Sequence, residues 1–120
     1  MAIHESAENY LETILILSKK LPSVRSIDIC TELGYKKSSV SVAMKNLREN
    51  NLISVDTFGY ITLTDNGKEI AERIYERHNF LCQWLIKMGV PEHIADEDAC
   101  KLEHILSFES YDAIKTHFTL

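Results

Sequence analysis

The apolar residues of this chain keep helical spacing over most of its length and change to strand-like spacing once. Two prolines and four glycines divide the 120 residues, so the helices meet few interruptions. The change falls at 52–55 and 60–63, which are β-branched and aromatic runs separated by a turn at 56–59. The pattern predicts a mainly α fold that contains one β-hairpin.

Capping and breaking residues divide the helical part of the sequence into six predicted helices. Ser6 caps the first of them, and Gly34 ends the second. Thr64 or Asp65 caps a long fourth helix, which Gly89 closes. The predicted helices cover about 6–18, 26–33, 38–50, 65–88, 90–106 and 110–117.

The net charge of −5 conceals a division of charge along the chain. Residues 19–50 carry seven Lys and Arg against three Asp and Glu, whereas residues 51–120 carry six against twelve. A basic segment suits contact with phosphates, and an acidic one faces water or binds cations. No apolar run approaches the ~20 residues of a membrane span and no signal peptide opens the chain, so we expect a cytoplasmic protein without membrane attachment.

The basic segment has the element order of a winged helix-turn-helix. A short helix, the turn at Gly34 and a polar-faced helix are followed by the hairpin, and in such domains the second helix enters the major groove of DNA. The alternative is a winged-helix module that binds another protein and leaves this basic face in water. The residues predicted to contact DNA are hydroxyls and lysines on the polar-faced helix and just before it: Lys36, Lys37, Ser38, Ser39, Ser41 and Lys45.

The remaining segments contain side chains that can bind a divalent metal ion. A thiol, a carboxylate and an imidazole stand at positions i, i+3 and i+4 of the predicted fifth helix and therefore share a face. Each candidate has a structural alternative, because a lone imidazole is often only hydrogen-bonded and a lone carboxylate is often solvated. No nucleophile–base arrangement or phosphate-binding glycine loop is present, so we expect neither an enzyme nor a small-molecule substrate. The candidate ligands are Asn9, Glu12, His78, Cys100, Glu103 and His104.

Five segments spread over nearly the whole chain carry a combination of motifs: ENYLETI at 8–14, SSVS at 38–41, LTDNG at 63–67, RH at 77–78 and ACKLEHILS at 99–107. This combination resembles the metal-dependent repressors of the diphtheria-toxin-repressor type, which include the manganese-transport regulators. The resemblance implies a winged helix-turn-helix DNA-binding domain at 1–65 and a helical metal-binding and dimerisation domain at 66–120. It also implies a homodimer that binds Fe²⁺ or Mn²⁺ and then a palindromic double-stranded DNA operator, repressing metal-uptake genes.

The resemblance also assigns ligands, and it places Asn9 where the manganese branch has Asp and the iron branch has Met. Cys100 matches the iron branch, whereas the manganese branch has Glu there. Because a thiolate is a softer ligand than a carboxylate, we predict Fe²⁺ as the activating ion and Mn²⁺ as the alternative. Co²⁺, Ni²⁺ and Zn²⁺ are expected as substitutes in vitro. The main site implied in this way consists of Glu12, His78, Cys100, Glu103 and His104.

Apolar residues toward the end of the sequence predict where a homodimer forms. The fifth and sixth predicted helices carry more large apolar side chains than a small domain can bury. A two-fold interface would cover them and would match a palindromic operator. The residues predicted to be exposed there are Ile105, Leu106, Phe108, Tyr111, Ile114 and Phe118.

Overall fold

The computed structural model of the protein describes residues 5–118, which form six helices and two strands. The chain divides into two compact units; the first ends at Glu72, the second begins at Arg73, and the fourth helix runs across the division. In chain order the elements are α1 Glu5–Lys20, α2 Ser26–Leu33, α3 Lys37–Glu49, β1 Ile53–Val55, β2 Ile61–Leu63, α4 Asp65–Lys87, α5 Glu92–Ile105 and α6 Phe108–His117. The predicted mainly α fold with a winged helix-turn-helix is therefore confirmed.

The first unit is held together by apolar side chains from three helices and the hairpin. Helices α1, α2 and α3 contact one another, α3 contacts β1, and α1 contacts β2. Burial of one such side chain contributes about 1.5–3 kcal/mol relative to exposure. The fully buried residues of these elements include Leu11, Ile14, Ile29, Val40 and Ile53.

The turn between α2 and α3 depends on a left-handed residue. Gly34 has φ 69°, and its N–H donates to the Cys30 carbonyl at 2.8 Å, as expected for the glycine that ends a helix. Helix α3 begins at Lys37, one residue before the predicted start. This turn places the polar face of α3 at the surface of the first unit.

The hairpin forms a wing on the first unit. Strands β1 and β2 pair antiparallel with Ile53 opposite Leu63. The Asp56 side chain accepts hydrogen bonds from the Phe58 and Tyr60 amides, each at 2.9 Å, which fixes the predicted turn. Phe58 at the tip is 69% exposed.

The second unit packs the rest of α4, α5 and α6 around Leu81, Ala99 and Tyr111. Tyr111 was expected at the surface, and this prediction is wrong. Its ring lies edge-on to Phe80 with centroids 5.8 Å apart, so it belongs to the core of the unit. Leu106 and Ile114 are half-buried, whereas Ile105, Phe108 and Phe118 are exposed as predicted.

Caps explain where α4 and α6 begin. Thr64 Oγ1 accepts from the Gly67 amide at 3.1 Å and caps α4. The last helix starts at Phe108, two residues before the predicted position, because Ser107 Oγ accepts from the Ser110 amide at 3.1 Å. None of the helices in the part of the chain that the structure describes is long and apolar enough to cross a membrane.

Candidate functional site

His78 is the centre of a cluster of imidazole, thiol and carboxylate side chains in the second unit. It lies in the middle of α4 and faces α5. Its Nδ1 atom is 3.0 Å from Glu103 Oε2 and 3.7 Å from Cys100 Sγ. Helical spacing on α5 puts that thiol and that carboxylate on one face, as the sequence predicted, and α4 brings the imidazole to them.

Glu103 is the most deeply buried acid of the cluster. Its side chain is 1% exposed, and Oε1 lies 3.2 Å from Nε2 of His104, whose side chain is 4% exposed. Its Oε2 atom makes no hydrogen bond of good geometry to any residue in the described part of the chain. A buried carboxylate is costly unless charge or hydrogen bonds compensate it, so this atom requires a cation or a proton nearby.

The imidazole of His78 meets that requirement when no metal is bound. Contacts with the Cys100 thiol and with the Glu103 carboxylate raise the pKa of His78 from 6.5 to about 11, although burial opposes the change. The ring is therefore a cation near neutral pH. A metal ion bound by Nδ1 would have to displace the proton on that atom.

Two separations measured from His78 Nδ1 match those between ligands of one divalent ion. Ligands bound at about 2.0–2.3 Å from one ion lie roughly 3–4 Å from each other. The Nδ1–Oε2 and Nδ1–Sγ distances of 3.0 and 3.7 Å fall in that range. Imidazole, thiolate and carboxylate together suit first-row divalent metals. His78 thus lies within inter-ligand distance of both Cys100 and Glu103, while His104 contacts only the second carboxylate oxygen of Glu103, at 3.2 Å, among the distances that define the cluster.

The other two predicted ligands belong to the first unit. Asn9 lies half-buried on α1, where its backbone carbonyl accepts a hydrogen bond from Thr13 Oγ1 at 2.8 Å. Glu12 lies one turn further along α1 and is buried. Their participation in the metal site stays a prediction.

Two residues that support the cluster were not among the predicted ligands. Asp96 Oδ1 lies 2.9 Å from His78 Nε2, on the opposite side of the ring from Glu103. Arg77 Nη1 donates to the carbonyls of Glu103 and Leu106 at 3.3 and 3.0 Å, at the end of α5. Asp96 lies four residues before Cys100, which puts both on one side of α5.

The predicted DNA-contact residues all lie at the surface of the first unit. The face of α3 that carries them is exposed, whereas Val40, Met44 and Leu47 turn the other face toward the core. Val42 was not predicted as a surface residue, yet it is 61% exposed between the serines and Lys45. The exposed residues with predicted contacts are Lys36, Lys37, Ser38, Ser39, Ser41 and Lys45.

Comparison with known proteins identifies the family. The model of the iron dependent repressor N-terminal DNA binding domain matches residues 2–58, and that of the iron dependent repressor metal binding and dimerisation domain matches residues 64–119. A transcriptional regulator MntR from Escherichia coli is 31% identical over 111 residues, covering 92% of this chain and 72% of the relative. The chain belongs to the iron-dependent repressor family. Its members are DNA-binding transcriptional regulators, not enzymes.

Other known proteins resemble the chain in sequence or in structure. An HTH-type transcriptional regulator from Methanocaldococcus jannaschii is 33% identical over 113 residues, covering 92% of this chain and 90% of that protein. The solved structure of a manganese-dependent transcriptional repressor in complex with manganese has a TM-score of 0.84 and 26% identity over 92% of this chain. The IdeR structure from T. acidophilum has a TM-score of 0.77 and 25% identity over the whole chain.

The chain spans about half the length of these two solved proteins, 51% of the first and 56% of the second. The residues matched by the DNA-binding model include α3, and those matched by the metal-binding model include the cluster around His78. The exposed polar face of α3 therefore lies in the region matched by the DNA-binding family model. The cluster around His78 lies in the region matched by the metal-binding family model.

Proposed function

We propose that this protein is a cytoplasmic, metal-activated repressor of metal-uptake genes that binds a palindromic operator as a homodimer. The observation that carries the proposal is the buried Glu103 carboxylate, which lies beside the imidazoles of His78 and His104. Cys100 adds a thiol 3.7 Å from His78 Nδ1. When bound, a divalent ion supplies the positive charge that this set of acidic donors requires.

DNA binding and metal binding are proposed for different parts of the sequence. Residues 1–65 bind DNA through the polar face of α3, with Lys36, Lys37 and Lys45 contacting phosphates and Ser38, Ser39 and Ser41 contacting phosphates or base edges. Residues 66–120 bind the metal and pair the two protomers. Exposed Ile105, Phe108 and Phe118 are the apolar residues proposed for the two-fold interface.

The proposed activating ion is Fe²⁺, because Cys100 provides a thiolate. Soft thiolate ligands favour ions later in the first transition row over Mn²⁺. Mn²⁺ is the second candidate, since one solved relative is a manganese-dependent repressor in complex with manganese. In the proposed site Glu12 completes the set of His78, Cys100, Glu103 and His104, and Asn9 contributes only a neutral carbonyl oxygen.

Selection from a random pool of double-stranded DNA tests this function and identifies the operator sequence in the same experiment. The purified protein is incubated with the pool under anaerobic conditions with Fe²⁺, with Mn²⁺ or with a chelator. We expect a palindromic sequence to be enriched with Fe²⁺ at lower concentration than with Mn²⁺, and not with the chelator. Glu103→Gln should abolish enrichment, whereas Glu97→Gln at an exposed position of α5 should not.

Three other outcomes lead to different conclusions. Equal enrichment with the chelator would contradict metal activation. Enrichment at lower Mn²⁺ than Fe²⁺ concentration would overturn the choice of ion and leave the repressor function standing. No enrichment under any condition would favour the winged-helix module that binds a protein partner.

A further inference from the structure

The two nitrogens of the His78 ring face different surroundings. Nδ1 faces the Glu103 carboxylate and the Cys100 thiol, at 3.0 and 3.7 Å. Nε2 faces Asp96 Oδ1 at 2.9 Å. Asp96 and Cys100 are four residues apart on α5, so adjacent turns of one helix contact opposite sides of the same imidazole.

We infer that Asp96 is a positioning residue that selects which nitrogen of His78 binds the metal. A carboxylate oxygen accepts hydrogen bonds, so the ring nitrogen that faces Asp96 Oδ1 at 2.9 Å is the donor of that contact. Nε2–H therefore donates to Asp96. Nδ1 also faces a carboxylate and carries a proton when no metal is bound; that proton is the one a metal would displace, because the Cys100 thiol and the buried Glu103 carboxylate both lie beside Nδ1. This role rests on the proposed metal site.

The contact with Asp96 also fixes the direction of the ring. Histidine ligands in metal sites generally donate their second N–H to a carboxylate or carbonyl, which holds the ring in place and makes the ligating nitrogen more basic. The side chain of His78 is 15% exposed and that of Asp96 is 60% exposed. The acceptor thus lies at the solvent side of the ring, and the ligating atom faces the buried carboxylate.

The alternative is that Asp96 binds the metal itself. Single ligand atoms of His78, Asp96 and Cys100 lie within 4.8 Å of one another, so this trio is close enough to hold an ion. The buried Glu103 carboxylate argues for the other side of the ring, since its Oε2 lacks a well-formed hydrogen bond to the described residues and lies 3.0 Å from Nδ1. An ion placed at Nε2 would be farther from the buried Glu103 carboxylate, which would then keep only the Nδ1–H of His78 and the His104 imidazole beside it.

The imidazole ¹⁵N spectrum of the Zn²⁺-loaded full-length chain distinguishes the two roles. Zn²⁺ is the probe because it is diamagnetic and binds imidazole and thiolate. For wild type we expect a metal-bound Nδ1 and a protonated Nε2 on His78. Asp96→Asn retains an acceptor oxygen and should keep this pattern, whereas in Asp96→Ala the Nε2 proton should exchange with water at least about tenfold faster.

Zn²⁺ affinity, measured by competition with a chelator, gives the second readout. Loss of a carboxylate that orients a histidine ligand typically weakens metal affinity by about 10- to 100-fold, and we expect a loss of that size for Asp96→Ala. Asp96→Asn should recover most of it. Asp98→Ala, which removes an exposed carboxylate from the same helix, should remain within about twofold of wild type.

Each result decides a specific point. A metal-bound Nε2 in wild type would overturn the inference and make Asp96 a direct ligand. Equal affinities and equal exchange rates in Asp96→Ala and Asp98→Ala would also overturn it, while Zn²⁺ binding by wild type would leave the proposed function intact. Failure of wild type to bind Zn²⁺ would contradict both.

Discussion

Replacing Arg77 with methionine should destabilise the second unit of the protein by about 3 kcal/mol. The guanidinium donates to the carbonyls of Glu103 and Leu106 at the end of α5, and its carbon lies 4.8 Å from the centroid of the Tyr111 ring. Methionine keeps the apolar stem and removes all three contacts. The variant therefore tests whether one side chain of α4 holds both α5 and α6.

The magnitude follows from the geometry of each contact. A hydrogen bond from a charged donor contributes about 1.5–3 kcal/mol; the bond of 3.0 Å to Leu106 counts in full, and that of 3.3 Å to Glu103 counts less. Contact with the Tyr111 ring adds about 0.5–1 kcal/mol. With a urea dependence of about 2 kcal/mol/M, the unfolding midpoint should fall by roughly 1.5 M.

Fluorescence of Trp84 provides the assay, because it is the single tryptophan of the chain and packs against the core of the second unit. Arg73→Met is the matched control, since Arg73 is exposed and lies about one turn earlier on α4. Its midpoint should stay within about 0.3 M of wild type. Arg77→Met and Arg73→Met variants with the same midpoint would refute the proposed role of Arg77.

Three further predictions concern DNA, protons and assembly. Lys36→Ala and Lys45→Ala should each weaken binding to DNA of any sequence. Each should also reduce the slope of the log binding constant against log salt concentration by about 0.9 per lost phosphate contact. Unchanged slopes would place the DNA-binding surface elsewhere. The pKa of His78 is raised from 6.5 to about 11 in the metal-free protein, so its proton stabilises the fold fully below pH 6.5 and progressively less as pH rises toward 11. Metal must displace that proton, and a bound Cys100 thiolate releases a second one, so Co²⁺ affinity should rise by at least about tenfold per pH unit from pH 6.5 to 8.5, whereas a flat profile would contradict ligation by His78. Ile105→Ser with Phe108→Ser should convert a dimer to a monomer by light scattering, and a monomeric wild type would contradict the proposed interface.

Local signals in the sequence were sufficient for most of the fold. Gly34 sets the turn between α2 and α3 because only a left-handed residue ends a helix in that way. The start of α6 was missed because both Ser107 and Ser110 are good caps, and only the structure shows that Ser107 accepts the hydrogen bond. Tyr111 was misplaced because its burial depends on contacts with α4, which helical spacing within α6 does not reveal.

The candidate site was predictable to the extent that it lies on one helix. The spacing of Cys100, Glu103 and His104 fixes their common face, and that part follows from helix geometry alone. The contacts from α4 join residues 18 to 29 positions apart, so helical spacing could not reveal the contacts of Asp96 and Arg77. The orientation of the His78 ring is likewise a property of packing between helices.

Titration with Co²⁺, monitored by near-ultraviolet absorption, tests most directly whether this donor set binds a divalent metal. Thiolate ligation to Co²⁺ gives an intense charge-transfer band, so we expect wild type to show the band and to saturate it as the site fills. Cys100→Ser should lose the band, and Cys82→Ser should retain it, since Cys82 is not among the proposed ligands. Absence of the band in wild type, or its persistence unchanged in Cys100→Ser, would contradict the metal centre proposed here.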